Sequence, residues 1–182
     1  MAGIPLLNTE QHLIFSMLNH TVDTNKSGLF FIDSPGGTGK IFLQNTVFAQ
    51  QRLQNCMALV VATLDIAAML LSGGTTAHSH FKIPIDVDED STCSIQKQSN
   101  LVELLQQTCL IFWDESVMCH HYAIKAVSCT LQDLCGTKDP RRQLPFGRIV
   151  VCFCNNFHQT LPVVKKGTYR QIISVSLKRS FL

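Results

Sequence analysis

The sequence predicts an α/β domain, a mainly parallel sheet flanked by helices. Three observations carry that expectation. Four short apolar runs, residues 29–32, 58–62, 109–113 and 149–154, are rich in strand formers and are each followed by polar or turn residues. Helix-patterned stretches lie between them, and such alternation calls for right-handed crossovers onto parallel strands. A glycine-rich turn separates the first run from the helix after it, the arrangement that holds phosphate at a helix N-terminus.

At 182 residues the chain suits one domain with a full core, and 46% hydrophobic with 15% charged residues reads as globular rather than disordered. No run approaches the ~20 apolar residues of a membrane span, and the N-terminus lacks a secretory pattern, so no membrane association is expected. A net charge of +2 gives no electrostatic footprint for nucleic acid by itself. The eight cysteines show no paired C-x-x-C spacing; Cys109, Cys152 and Cys154 lie in apolar runs, where a thiol packs as a small hydrophobe. A reduced, intracellular setting follows as the expectation. His120 and His121 after Cys119 read better as a polar helix start than as a zinc site.

In chain order, the first helix is expected over 9–19. Asn8-x-x-Gln11 before it fits a capping box, with the Gln11 side chain reaching back to the Asn8 backbone. The same amide has the donor and acceptor that bond N6 and N7 of adenine, and local residues leave the two roles open.

Strand 29–32 runs into Asp33-Ser34-Pro35-Gly36-Gly37-Thr38-Gly39-Lys40-Ile41. This is a near-complete G-x-x-x-x-G-K-[ST] loop, in which glycines let backbone N–H groups curl around phosphate oxygens and Lys40 supplies a point charge. Two positions depart from it. Ser34 stands at the first glycine, and Ile41 replaces the hydroxyl that holds Mg²⁺. Helix 40–53 follows, with Phe42, Leu43, Val47 and Phe48 spaced for one buried face.

Beyond it lie strand 58–62, helix 65–71, a charged loop at 86–90, helix 97–106 and strand 109–113. That last strand ends in Asp114-Glu115. Downstream of a phosphate loop, such a pair can hold Mg²⁺ through its water shell and orient or deprotonate an attacking water; capping the next element is the structural alternative. Helix 122–134, the loop 138–145 with Arg141 and Arg142, and strand 149–154 complete the pattern. Gln159 lies just past the last strand's C-terminal end, where open α/β sheets bind ligands, and can sense a γ-phosphate.

Taken in order, the segments LNTEQ, DSPGGTGK, ATLDIAAMLLSGGTTAHSHFKIP, WDES, PFG, FHQTLPVV and SLKRSFL resemble the first RecA-like domain of Pif-one-like DNA helicases, especially the branch carried by Helitron transposons. The resemblance covers nearly all of the chain, and the block 62–84 is its most diagnostic part. It implies a RecA-like phosphate-loop NTPase domain spanning 1–182, with a second RecA-like domain missing. The implied function is an ATP-dependent, 5′ to 3′ DNA helicase of repair, recombination and telomere maintenance, using ATP and Mg²⁺ and located in the nucleus or, second, the mitochondrion. The alternative is a transposon-derived remnant that binds nucleotide or single-stranded DNA without turnover.

By the same resemblance Gln11 reads adenine, and Pro35, Gly36, Gly37, Thr38, Gly39, Lys40 and Ile41 surround the triphosphate. Lys40, Asp114, Glu115 and Gln159 are catalytic, with Asp114 the metal residue. Thr63, His78, Ser79 and Phe81 are the candidates to contact single-stranded DNA, hydroxyls to phosphate and Phe81 to a base, with core packing the alternative for Phe81. The chain departs from the family at Ile41, at Asp65 for glycine, at Cys154-Asn155-Asn156 for Gly-Gly-Asp and at His158 for arginine.

Overall fold

The computed structural model describes residues 3–71, 73–96, 98–135 and 137–155. Gln159, His158, Asn156 and the segments FHQTLPVV and SLKRSFL lie outside the described residues.

Helix α1, Thr9–Asp23, leads into strand β1, Gly28–Asp33, and helix α2, Lys40–Leu53. Strand β2, Met57–Ala62, is followed by the short helix α3, Asp65–Leu70, the two-residue strand β3, Thr75–Thr76, and helix α4, Ala77–Phe81. Helix α5, Asn100–Gln107, strand β4, Thr108–Asp114, helix α6, His121–Leu134, and strand β5, Val150–Asn155, complete the order. The five strands form one sheet in the order β1-β5-β4-β2-β3, every neighbouring pair parallel. This is the mainly parallel, helix-flanked architecture that the apolar runs predict.

Alternation along the strands feeds two cores, one on each face. On β4, Leu110 and Phe112 join Leu18 and Val22 of α1, Leu43 and Val47 of α2 and Ala68 of α3. Ile111 and Trp113 turn the other way, toward Phe81 of α4, Leu105 of α5 and Ile124 of α6. A central strand buried on both faces has no room for polar side chains, which is why its sequence reads as one continuous apolar run. The α1–α2 contact also holds a buried polar pair: Gln51 Nε2 donates to Asn19 Oδ1 at 2.6 Å, and Asn19 Nδ2 donates to the Phe15 carbonyl.

Several expectations shift. Helix α1 runs four residues past the expected end at 19, because its buried residue Val22 continues the apolar stripe of Phe15 and Leu18. The inner face of α2 is Leu43 and Val47 with Gln44 and Gln51; Phe42 turns outward. Helix α5 starts at Asn100 rather than 97, where Ser99 accepts the Val102 N–H as its N-cap. His120 is likewise an N-cap, its ring Nδ1 accepting the Tyr122 N–H at 3.1 Å.

Asp65 begins α3, where a negative charge complements the helix N-terminus. The PFG turn packs into the core: Phe146 is buried, and at Gly147 (φ 63°) an added Cβ would lie 2.5 Å from the Cys135 sulfur. All eight cysteines are free thiols. Among the described residues no helix is long and apolar enough to cross a membrane.

Candidate nucleotide site

Because β5 separates β1 from β4 in the sheet, the turn after β1 and the acids ending β4 stand at the same C-terminal edge with one strand between them. In open parallel sheets, the crevice outside the strand ends is where ligands bind.

The loop itself is pinned at three points. Lys40 Nζ donates to the Ser34 carbonyl at 3.0 Å, drawing the first helical turn back over the loop's start. Thr38 Oγ1 donates to the Pro35 carbonyl at 2.9 Å. Gln11 Nε2 donates to the Thr38 carbonyl at 3.0 Å. Gly37 and Gly39 adopt φ of 81° and 82°, the left-handed region that non-glycine residues enter only with strain. A Cβ at Gly39 would stand 2.8 Å from Gln11 Nε2, whereas Cβ atoms at Gly36 and Gly37 would meet nothing within 4 Å. Glycine therefore serves conformation and close packing at 39, and leaves the loop's outer surface open at 36 and 37.

Two cavities flank the loop, and Lys40 lines both. One, of 370 Å³, lies beside Asn8, Gln11, Ser34, Pro35 and Thr38. The other, of 410 Å³, holds Gly36, Gly37, Ile41, Asp114 and Glu115, with Ala67, Leu70 and Leu71 on its far wall. A larger cavity, of 580 Å³, lies away from the loop around Cys93, Thr130 and Arg142, and has none of these groups. The chemistry belongs to the loop.

Burial pushes the Asp114 carboxyl above its usual range, and the Lys40 charge only partly offsets that. Glu115 is raised first by burial and then by the neighbouring Asp114 charge, with Lys40 again opposing. The pair is held by the backbone. Glu115 N–H donates both to Asp114 Oδ1 at 3.1 Å and to the Cys154 carbonyl at 2.9 Å, and Glu115 sits at φ 52°. A non-glycine residue kept in that region is a local cost that the surrounding hydrogen bonds sustain.

Both alternatives for Gln11 bear on its geometry. The capping box is formed, with Asn8 Oδ1 accepting Gln11 N–H at 2.8 Å and Gln11 Oε1 accepting Asn8 N–H at 3.1 Å. Both ends of the Gln11 amide are thus used inside the protein.

The expected DNA-contact residues separate into two groups. His78 and Ser79 are exposed on α4, whose N-cap Thr76 accepts the Ser79 N–H. Thr63 Oγ1 accepts the indole N–H of the fully buried Trp113 at 3.1 Å, so this hydroxyl is engaged in the core. Phe81 requires a correction: it is 1% exposed, its ring 5.8 Å from that of Trp113, and offers no face to a base. An aromatic residue closing a five-residue helix over the sheet is more useful inside than out.

Sequence reasoning missed the wall formed by Ala67, Leu70 and Leu71. The apolar run 66–71 was its only signal, and that reads equally well as an ordinary buried helix.

The sequence matches the PIF1-like helicase family over residues 6–182. Among curated proteins it is 26% identical over 137 residues to the ATP-dependent DNA helicase PIF4 of Trypanosoma brucei brucei, an alignment covering 72% of this chain and 16% of that protein. Among solved structures it is similar to a Bacteroides Pif1 helicase in complex with ADP-AlF3 and ssDNA, with TM-score 0.75, 23% identity, and coverage of 96% of this chain and 39% of the other. A Bacteroides Pif1 in complex with ADP-AlF4 aligns with TM-score 0.68 and 26% identity, over 92% of this chain and 36% of that one. The chain therefore spans well under half the length of each of these relatives.

Proposed function

The chain belongs to the PIF1-like helicase family, and we propose that it acts as the first RecA-like motor domain of an ATP-dependent DNA helicase. The observation that carries this is the 410 Å³ cavity in which the open glycine loop and Lys40 face Asp114 and Glu115. The relatives named as ATP-dependent helicase and as complexes with ADP and aluminium fluoride support the same reading.

In this reading the loop's backbone N–H groups and the N-terminus of α2 hold the β- and γ-phosphates. Lys40 leaves the Ser34 carbonyl to meet phosphate oxygen. Glu115, whose pKa burial and the Asp114 charge raise, is a better acceptor of the attacking water's proton than an ordinary carboxylate. Gln159, which follows β5 in the sequence, is the proposed γ-phosphate sensor. Asp114 and Glu115 are the oxygen donors that would hold Mg²⁺ through water, where the ion would neutralise developing phosphate charge, while position 41 offers no ligand. His78 and Ser79 meet single-stranded DNA from α4.

Closure of a second RecA-like domain over the nucleotide converts each cycle into a 5′ to 3′ step. Repair, recombination and telomere maintenance in the nucleus are the processes this activity serves, and the Helitron-type branch is its proposed origin. The test is steady-state ATP hydrolysis by the purified chain with Mg²⁺ and single-stranded DNA. Saturable turnover, stimulated by DNA and absent in Lys40→Ala, is expected. A folded wild-type sample with no turnover above that variant would leave a binding module in place of a motor.

A further inference from the structure

We infer that Ile41 uncouples nucleotide affinity from Mg²⁺: the loop grips a polyphosphate nearly as tightly without the ion as with it, and the side chain at position 41 sets that coupling. This rests on the nucleotide reading above. Ile41 is the second residue of α2, directly after Lys40, and its side chain remains 43% exposed. It lines the same cavity as Asp114 and Glu115. Ala67 and Leu70 of α3, with Leu71, complete that wall, so two helices bring hydrocarbon to the place where a hydroxyl would bind the ion. The structure adds this second helix to what the loop sequence alone conveys.

Mg²⁺ requires near-octahedral oxygen coordination and gives up its waters reluctantly. Beside Ile41, any water in its shell loses a hydrogen-bonding neighbour, and a β-branched side chain cannot swing far aside. The remaining acids compensate poorly. Asp114 Oδ1 already accepts the Glu115 N–H at 3.1 Å, which leaves it fewer lone pairs for the ion's water shell. The groups that grip phosphate without metal are intact: Lys40, the left-handed glycines 37 and 39, and the 14-residue helix behind them. Metal-free ATP carries more negative charge than its Mg²⁺ complex, so these positive groups attract it more strongly and offset the missing ion.

The experiment is calorimetric titration of ATP into the purified chain in excess Mg²⁺ and in EDTA, on wild type and Ile41→Thr, with thermal melts to establish that both are folded. Wild-type dissociation constants are expected to agree within about threefold between the two buffers. Ile41→Thr keeps the β-branch and restores a hydroxyl; it is expected to tighten by roughly tenfold in Mg²⁺ and to remain unchanged in EDTA. A wild type that weakens by more than this in EDTA, or an Ile41→Thr protein that gains no metal dependence, overturns the inference while leaving the nucleotide site standing. Folded wild type that binds ATP in neither buffer overturns the nucleotide reading and this inference with it.

Discussion

Gln11 donates its side-chain amide to the carbonyl of Thr38 at 3.0 Å, tying the first turn of α1 to the glycine loop 27 residues later. The other end of the same amide accepts the Asn8 N–H, so one side chain caps a helix and braces a loop together.

That brace separates two roles for Gln11. If it acts by positioning the loop, Gln11→Ala weakens ATP and inorganic tripolyphosphate by the same severalfold factor, since about 1 kcal/mol of capping and bracing is lost whatever the ligand. If it reads the base, ATP weakens and tripolyphosphate does not. The geometry predicts the first outcome, measured by parallel titrations of both ligands.

The half-buried acid at the end of β4, Asp114, makes stability depend on pH. Because burial raises the Asp114 pKa, the folded state holds that proton more tightly than the unfolded chain does. Stability is then lost as pH rises from the ordinary carboxylate range through the raised value. Asp114→Asn removes the half-buried charge and keeps an oxygen for the Glu115 N–H. Its melting temperature at neutral pH is expected to exceed wild type by a few degrees, about 1 kcal/mol corresponding to 2–4 °C at this size. The difference closes below about pH 4. An Asp114→Asn protein less stable than wild type at pH 7 would contradict this.

Phe81 and its neighbours on α4 should divide cleanly. Phe81→Ala empties a fully buried site against Trp113 and is expected to cost about 3–5 kcal/mol, read by chemical denaturation. His78→Ala and Ser79→Ala change exposed positions; they should leave the unfolding midpoint in place while weakening single-stranded DNA binding severalfold, read by fluorescence anisotropy.

Thr63 is held by the core. Thr63→Val deprives the buried Trp113 indole N–H of its acceptor, at an expected cost of about 1–3 kcal/mol. Thr63→Ser retains the oxygen and should recover most of that loss in the same denaturation assay. A Thr63→Val protein as stable as wild type would show that the hydrogen bond to Trp113 contributes nothing measurable.

The strands were legible because a buried parallel strand leaves a run such as Leu110-Ile111-Phe112-Trp113 that few other structures require. The loop was legible because Gly39-Lys40 follows such a run and opens a helix. What the sequence concealed is short or depends on tertiary contact. Strand β3 is two threonines at the sheet edge, below any periodicity signal. The inward turn of Phe81 depends on where Trp113 lies, which spacing cannot convey. The left-handed Glu115 and its bond to Cys154 arise from β4 and β5 being neighbours, a relation of topology rather than of local sequence.

The central claim is that the turn between β1 and α2 grips a polyphosphate. Equilibrium titration of ATP against the folded wild-type chain and Lys40→Ala, with tripolyphosphate as competitor, tests it most directly. The structure predicts saturable binding that tripolyphosphate displaces and that weakens at least about tenfold in Lys40→Ala, the loss of one charge-assisted contact to phosphate. Binding that survives Lys40→Ala unchanged, or a folded wild type that binds no ATP, would contradict it.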